Sequence, residues 1–313
     1  MATIDAELET RHEWPSQLGE HIGVAVPTQA RSQAAIVWRR FSRDRMALAG
    51  GAIVVIAVLL SMFAPLLSPR DPIAMDPTAR LALPGTGGYL LGADESGRDI
   101  LSRLVWGGRV SLIVAIGPVL CAALTSLALG LIAGFQGGLA GQLIMRTLDV
   151  LFAFPRVIFA IALAAALGSG MSSVMVALWV GMVPYITRVV YSSTQSLKTL
   201  QFVEAARCAG ATTRQIMLHE ILVNVLAPLI VYSTTLVGLM VVIGAGLSFL
   251  GLGVQPPTPD WGIMVSGGRR VLAVAPHVST IPGIVILIVS VAFNLLGDGL
   301  RDALDPRLRT RID

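Results

Sequence analysis

Charge is what this chain has least of: 13% of its 313 residues are Asp, Glu, Lys or Arg, against roughly 25% in an average soluble domain. That shortage excludes an ordinary soluble enzyme and a charge-rich disordered chain. The formal net charge is only +4, and the basic residues lie between long apolar runs instead of clustering as a nucleic-acid surface would require. No nucleic-acid partner is expected. Cysteine is scarce as well: two residues cannot build a disulfide scaffold, and Cys121 in an apolar run and Cys208 in a polar loop are expected as free thiols.

The familiar catalytic frames are missing too. Lys198, the sole lysine, is followed by Thr199 but preceded by Leu197, so no Gly-Lys-Ser/Thr phosphate loop exists in this chain. His219-Glu220 begins a zinc-protease pattern, but Val223 stands where the second histidine would be needed. Gly168-Ser169-Gly170 lacks the Gly-x-Ser-x-Gly frame and is expected to be a short turn. No catalytic residue, metal site or cofactor is expected in this chain.

What the chain does have is hydrocarbon. Hydrophobic residues make up 54% and the mean hydropathy is +0.75. A membrane-spanning helix needs about 20 mostly apolar residues, because the bilayer core is about 30 Å thick. Six runs qualify: Met46–Leu67, Val110–Phe135, Arg156–Leu167, Met171–Tyr191, Val223–Leu250 and Thr280–Leu300. The third is short after Pro155 and must borrow Leu148–Phe154. The first run begins after 45 polar residues, too late for a cleaved secretory signal. With both termini inside, 16 of the 23 basic residues fall on the inner side and seven on the outer, and basic loops favour the cytoplasm. Five of the outer seven lie in the first outer loop, where Asp71, Asp76, Asp94, Glu95 and Asp99 balance them.

Gly117-Pro118, Pro184, Pro228 and Pro282 interrupt backbone hydrogen bonding inside these runs, which lipid tolerates only where neighbouring helices or a watery cavity satisfy the freed groups. Gly130, Gly134, Gly238, Gly244 and Gly246 allow close helix packing. No run carries an ionisable residue near its centre; Arg156, Arg188 and Asp298 sit at ends. That argues against an ion-coupled carrier, which needs a buried carboxylate, and for a machine powered from outside the membrane.

The longest internal cytoplasmic segment expected is 192–222. Glu204 through Ala209 are strong helix formers, Gly210 can take the left-handed conformation that ends a helix, and Thr212 or Thr213 can cap the next. Two short helices at an angle on the membrane surface are expected. Ala205 and Ala206 would let the first enter a partner's groove, with Glu204 and Arg207 at its rim. A plain amphipathic connector has the same composition.

Glu204-Ala205-Ala206, three residues, then Gly210, followed by Ile221-Leu222 and Asn224, resembles the coupling loop of ABC importer permeases, with Val223 where proline is common. The resemblance narrows to the dipeptide/oligopeptide/nickel subfamily, second-permease type. Its marks are Leu91-Gly92-Ala93-Asp94-Glu95-Ser96-Gly97-Arg98-Asp99-Ile100-Leu101-Ser102-Arg103, then Arg146 and Asp149 followed by Pro155, then Gln255-Pro256-Pro257-Thr258-Pro259-Asp260-Trp261-Gly262, and finally Gly297-Asp298-Gly299-Leu300-Arg301-Asp302-Ala303-Leu304-Asp305-Pro306. These cover about Met46 to Arg309.

The resemblance implies an all-α polytopic permease of six transmembrane helices and type I ABC importer architecture in a bacterial inner membrane. Residues 1–45 would be a cytoplasmic segment, 46–67 an accessory helix, 68–109 a periplasmic loop, 110–300 the permease core and 301–313 a cytoplasmic tail. Its partners would be a second homologous permease, two ATPase subunits that hold ATP and Mg, a periplasmic solute-binding protein and membrane lipid. The solute would be a di- or oligopeptide, with nickel or another small solute as the alternative. Glu204, Ala205, Ala206, Arg207 and Gly210 would form the ATPase coupling site. Pro256, Pro257, Asp260 and Trp261 would line a periplasmic mouth or meet a partner, with Trp261 half wet at the interface; a stiff lid over the bundle fits the prolines equally. Arg98, Asp99 and Arg103 are expected to pair on the surface, a contribution of about 0–1 kcal/mol, and Asp298 to pair with Arg301.

Overall fold

The computed structural model describes residues 33–304. Expectations placed on 1–32 and 305–313, including the inner placement of Arg11, Arg31, Arg307, Arg309 and Arg311 and the motif residues Asp305 and Pro306, lie outside the described residues. The chain divides into two units, 1–39 and 40–313. Of the first, the described part belongs to helix α1, Gln33–Phe41. All that follows concerns the second.

Helix α2, Arg45–Met62, starts where the Asp44 carboxylate accepts the Met46 and Ala47 amides at 2.9 and 3.2 Å, and a short turn α3, Ala64–Leu67, follows a break at Phe63. Helix α4 spans Ile100–Gln136. It begins ten residues before the apolar run suggested, because Asp99 caps it by accepting the Ser102 amide at 2.7 Å. At 37 residues it is about 55 Å long and overshoots the hydrocarbon core.

Helices α5, Gly138–Phe152, and α6, Arg156–Leu167, meet at an 89° bend around Pro155. The expected third span is thus sharply bent: Leu148–Phe154 does not extend α6 in line, and the 12 residues of α6 alone reach about 18 Å. Five unbroken helices are long and apolar enough to cross a membrane, six if the bent pair counts as one span. Helix α7, Met171–Lys198, follows the Gly168-Ser169-Gly170 turn, and α8, Gln201–Cys208, branches from its end.

A second short surface helix is not found. Thr213–Gln215 (α9) runs through a π-helical turn, Ile216–Ile221, straight into α10, Leu222–Phe249. Helix α11, Trp261–Gly268, is short and glycine-rich, which hid it from the apolar-run criterion; α12, His277–Leu304, ends the described chain. Among the described residues there is no strand beyond isolated bridges.

Lipid gives helices no hydrophobic reason to associate, so close backbone contact must do it. Glycines supply that contact at the main crossings. A Cβ on Gly130 would meet Val190 Cγ1 at 2.5 Å and one on Gly134 would meet Thr194 Cβ at 2.7 Å, which fixes α4 against α7. Ser126 adds a hydrogen bond to the Val183 carbonyl at 3.1 Å. Gly238 lies under the Ser290 carbonyl, and Ser290 Oγ donates to the Gly238 carbonyl at 2.8 Å, joining α10 to α12. Met182, Ile186, Met240 and Leu247 fill the centre, whereas Leu120, Leu124, Val242 and Leu287 point outward, as a lipid-facing surface requires.

Helix α2 joins the bundle by the same device. A Cβ on Gly50 would meet the Ala292 carbonyl at 2.7 Å, while one on Gly51 would make ordinary contact with Leu296 at 3.6 Å. Gly50→Ala is therefore expected to lower the thermal unfolding midpoint of the detergent-solubilised chain by an overpacking cost of about 1–3 kcal/mol, with Gly51→Ala close to wild type.

Candidate functional site

The five residues expected at the coupling site share one helix and its exit. Val203 is fully buried and anchors α8, while Glu204, Ala205, Arg207 and Gly210 are exposed and Ala206 is half-buried against Ala211 and the core. Ala206 thus faces partly inward, and Ala205 carries the small outward surface. Gly210 takes φ +82°, its amide donates to the Arg207 carbonyl at 3.0 Å, and the Ala211 amide donates to the Ala206 carbonyl at 3.0 Å. This pair of bonds is a Schellman ending, which satisfies the last carbonyls of α8 and reverses the chain. Thr212 then starts the next helix with a capping box: its Oγ1 accepts the Gln215 amide at 3.3 Å and its amide donates to Gln215 Oε1 at 2.8 Å.

The elbow borders an open pocket of about 430 Å³ beside Ala209, Gly210, Gln215 and His219. It stands on the rest of the bundle through Lys198, whose Nζ donates to the Phe135 carbonyl at 2.6 Å and ties the end of α7 to the end of α4. Behind it, the α5–α6 bend is braced on α7: Arg188 pairs with Asp149 at 2.7 Å and lies over Phe152, and Arg156 lies 3.8 Å from the Tyr185 ring centroid.

The other four candidates lie at the opposite end of α4 and split into two roles. Pro256 and Pro257 are exposed on a rim. Asp260 and Trp261 are buried, so the half-wet interfacial position expected for Trp261 is corrected: the ring is 3% exposed and sits against Gly107 and Gly108 on α4, where the missing side chains leave room. Its Nε1 donates to the Leu104 carbonyl at 2.9 Å. Asp260 accepts Ser111 Oγ at 2.7 Å and the Gly262 and Ile263 amides at 3.0 and 3.2 Å, capping α11. Burial pushes the Asp260 carboxyl above its ordinary range, against the pull of those donors. Leu104, which meets this clamp, and Phe135, which meets the elbow, are separated by about 45 Å of helix.

The charged signature after the first span is buried, not a set of surface pairs. Asp94, Arg98, Asp99 and Arg103 are all nearly inaccessible. Arg98 pairs with Asp94 at 2.8 Å and not with Asp99, whose carboxylate is taken by the α4 cap; Arg103 Nε lies 3.4 Å from Asp94 and its Nη1 donates to the Pro72 carbonyl at 3.1 Å. Gly97 at φ +77° packs on the Asp76 backbone, which lets the loop fold over these charges. Arg70 lies over the Tyr89 ring, and Tyr89 in turn donates to Asp76, whose carboxyl the Thr78 hydroxyl and amide hold below its usual range. Balanced charge in this loop was visible in the sequence; its burial was not. The pair expected between Asp298 and Arg301 is not among the ion pairs of the described residues. Cys121 and Cys208 are free and exposed, and among the described residues no group of His, Cys, Asp and Glu could hold a metal.

Asp260→Ala is expected to lower thermal stability by about 2 kcal/mol through the lost cap and the orphaned Ser111, and to speed proteolysis within 251–260.

In sequence and fold the chain is similar to known membrane transport proteins. Residues 126–310 match the model of the binding-protein-dependent transport system inner membrane component, and residues 32–84 match the N-terminal transmembrane domain of oligopeptide transport permease C. The chain is 42% identical over 273 residues to the glutathione transport system permease protein GsiD of Pectobacterium atrosepticum, covering 87% of this chain and 91% of that one. It is 39% identical over 277 residues to the di/tripeptide transport system permease protein DppC of Pseudomonas aeruginosa, with the same coverage of 87% and 91%. An inward-facing structure of the MetNI methionine ABC transporter aligns with a TM-score of 0.53 at 19% identity, over 64% of this chain and 96% of that one, a likeness of fold.

Proposed function

The chain belongs to the family of binding-protein-dependent transport system inner membrane components, and from that premise we propose that it imports peptides by coupling to a separate ATPase through residues 202–214. It is a permease component of an ABC importer. The peptide assignment rests on relatives named for glutathione and for di- and tripeptides. The partners are a second homologous permease, two ATPase subunits carrying ATP and Mg, and a periplasmic binding protein. Both termini are cytoplasmic, which sets the elbow inside the cell and the 68–99 loop outside, in keeping with their separation along α4.

The observation that carries the coupling role is the exposure of Glu204, Ala205 and Arg207 on a helix whose only fully buried residue is Val203, closed by a left-handed Gly210. A helix with so little anchorage presents most of its surface to another molecule. Closure of the ATPase dimer would draw two such elbows together. The pull passes to α4 through Lys198 and Phe135 and to α10 through the π turn, and Pro184 and Pro228 give α7 and α10 places to yield. The cavity between the permeases then switches from inward- to outward-facing.

A Cβ at Gly210 would meet nothing within 4 Å, so Gly210→Val strains the backbone by about 1–2 kcal/mol without a clash. The variant is expected to keep its thermal midpoint within a few degrees while losing co-purification with the ATPase and most ATP-driven uptake. Glu204→Arg, on an exposed site, is expected to weaken ATPase recovery with no loss of stability. Wild-type ATPase recovery and uptake in both variants would remove the coupling role.

A further inference from the structure

At the outer end of α4, beside the Asp260 clamp, lies a cavity of about 620 Å³ between the 80–103 segment and the 248–271 segment. Its size is that of a small-molecule site. Its walls carry five guanidinium groups, those of Arg80, Arg98, Arg103, Arg269 and Arg270, against the two carboxylates of Asp94 and Glu95. The carboxylates are already committed: Asp94 binds Arg98 and Arg103, and Glu95 lies 3.6 Å from Arg98. Three positive charges remain unmatched, and Arg80, Arg269 and Arg270 are exposed and make no ion pair among the described residues.

The floor of the cavity makes it more than a basic patch. Arg103 is 2% exposed, and its Nε, although near Asp94, makes no hydrogen bond. Its ion pair with Asp94 at 3.4 Å is too long or misdirected for a hydrogen bond, which leaves this donor open to a closer acceptor at that wall. The opposite wall approaches closely: a Cβ on Gly267 would meet Glu95 Oε1 at 2.5 Å, so the glycine leaves room for that carboxylate between α11 and the charged loop. Bidentate guanidinium groups around a concave, partly dry space recognise planar carboxylates.

We infer that this cavity is a binding site for a small carboxylate-bearing solute, in which Arg269, Arg270 and Arg80 receive the anionic end above Arg103. The inference deepens the peptide-import reading and rests on it for the source of the carboxylate, the free C-terminus of a short peptide. An acidic protein surface suits the site less well, because a concave space of this volume admits a molecule and not a convex face. Peptide leaving its binding protein on this side would meet these arginines before it entered the bundle.

The test uses the assembled transporter in lipid nanodiscs without its binding protein, titrated with dialanine, dialanine amide and succinate. Dialanine and succinate are expected to bind the wild-type complex and to lose affinity by about tenfold or more in Arg269→Gln/Arg270→Gln, the scale of a lost charge-assisted hydrogen bond. The amide is expected to bind weakly and equally in both. Arg80→Gln, on the facing wall, is expected to repeat the loss. Failure of both acids to bind, or an equal loss for acid and amide, would overturn the site. Stimulation of ATPase activity by the loaded binding protein should stay at the wild-type level; a fall there with unchanged succinate affinity would assign the arginines to docking and also overturn it. Succinate binding in a complex that imports no peptide would retain the anion site and discard the peptide.

Discussion

The contact of α4 with α7 through Gly130 and Gly134 is the constraint on which the rest depends. Lipid supplies no force to press helices together, so their backbones must come close, and the small glycines of α4 permit that here. Once α4 is fixed, its length does the remaining work. It is long enough to leave both faces of the bilayer, and each end organises a different chemistry: Phe135 receives Lys198 below the elbow, while Leu104 and Ser111 receive the Asp260-Trp261 clamp. The membrane-crossing helix is thus also the ruler that keeps the two surfaces apart.

The two ends differ in how they treat charge. At the elbow, Glu204 and Arg207 are left in solvent and the shape is set by backbone bonds around Gly210 and Thr212. At the end of α4 away from the elbow, Asp94, Arg98, Asp99 and Arg103 are folded inside, where each must find a counter-charge or a donor. Polar groups left in solvent cost nothing in desolvation, whereas those sealed inside must be paired, which makes the second region the more rigid.

Local signals carried well from sequence to structure and tertiary ones did not. Helix formers from Glu204 to Ala209, a glycine and a capping threonine are decided within a few residues, and the elbow follows them closely. The start of α4 was misplaced because Asp99 is a cap of polar residues ahead of the apolar run. Pro155 announced a break but not its angle, which depends on Arg188, Asp149 and the tilted contact of the Phe152 and Tyr185 rings. Trp261 was placed by its amphipathic ring, yet the notch at Gly107 and Gly108 that buries it is remote in sequence, on a different helix. The small size of those two residues was the one available hint.

The π turn ahead of α10 has a consequence for what changes this chain can accept. Buried side chains step from Ile216 to Ile221, then to Val225 and Leu229: one stride of five followed by strides of four. In a regular α-helix five residues turn through about 500°, which would leave Ile221 about 140° away from the face that Ile216 buries. The wider turn absorbs the surplus residue and keeps both on the inner side. Deletion of one residue between Met217 and Glu220 would restore the ordinary stride, so this is where a transmembrane helix of this protein can change length by one without losing its phase.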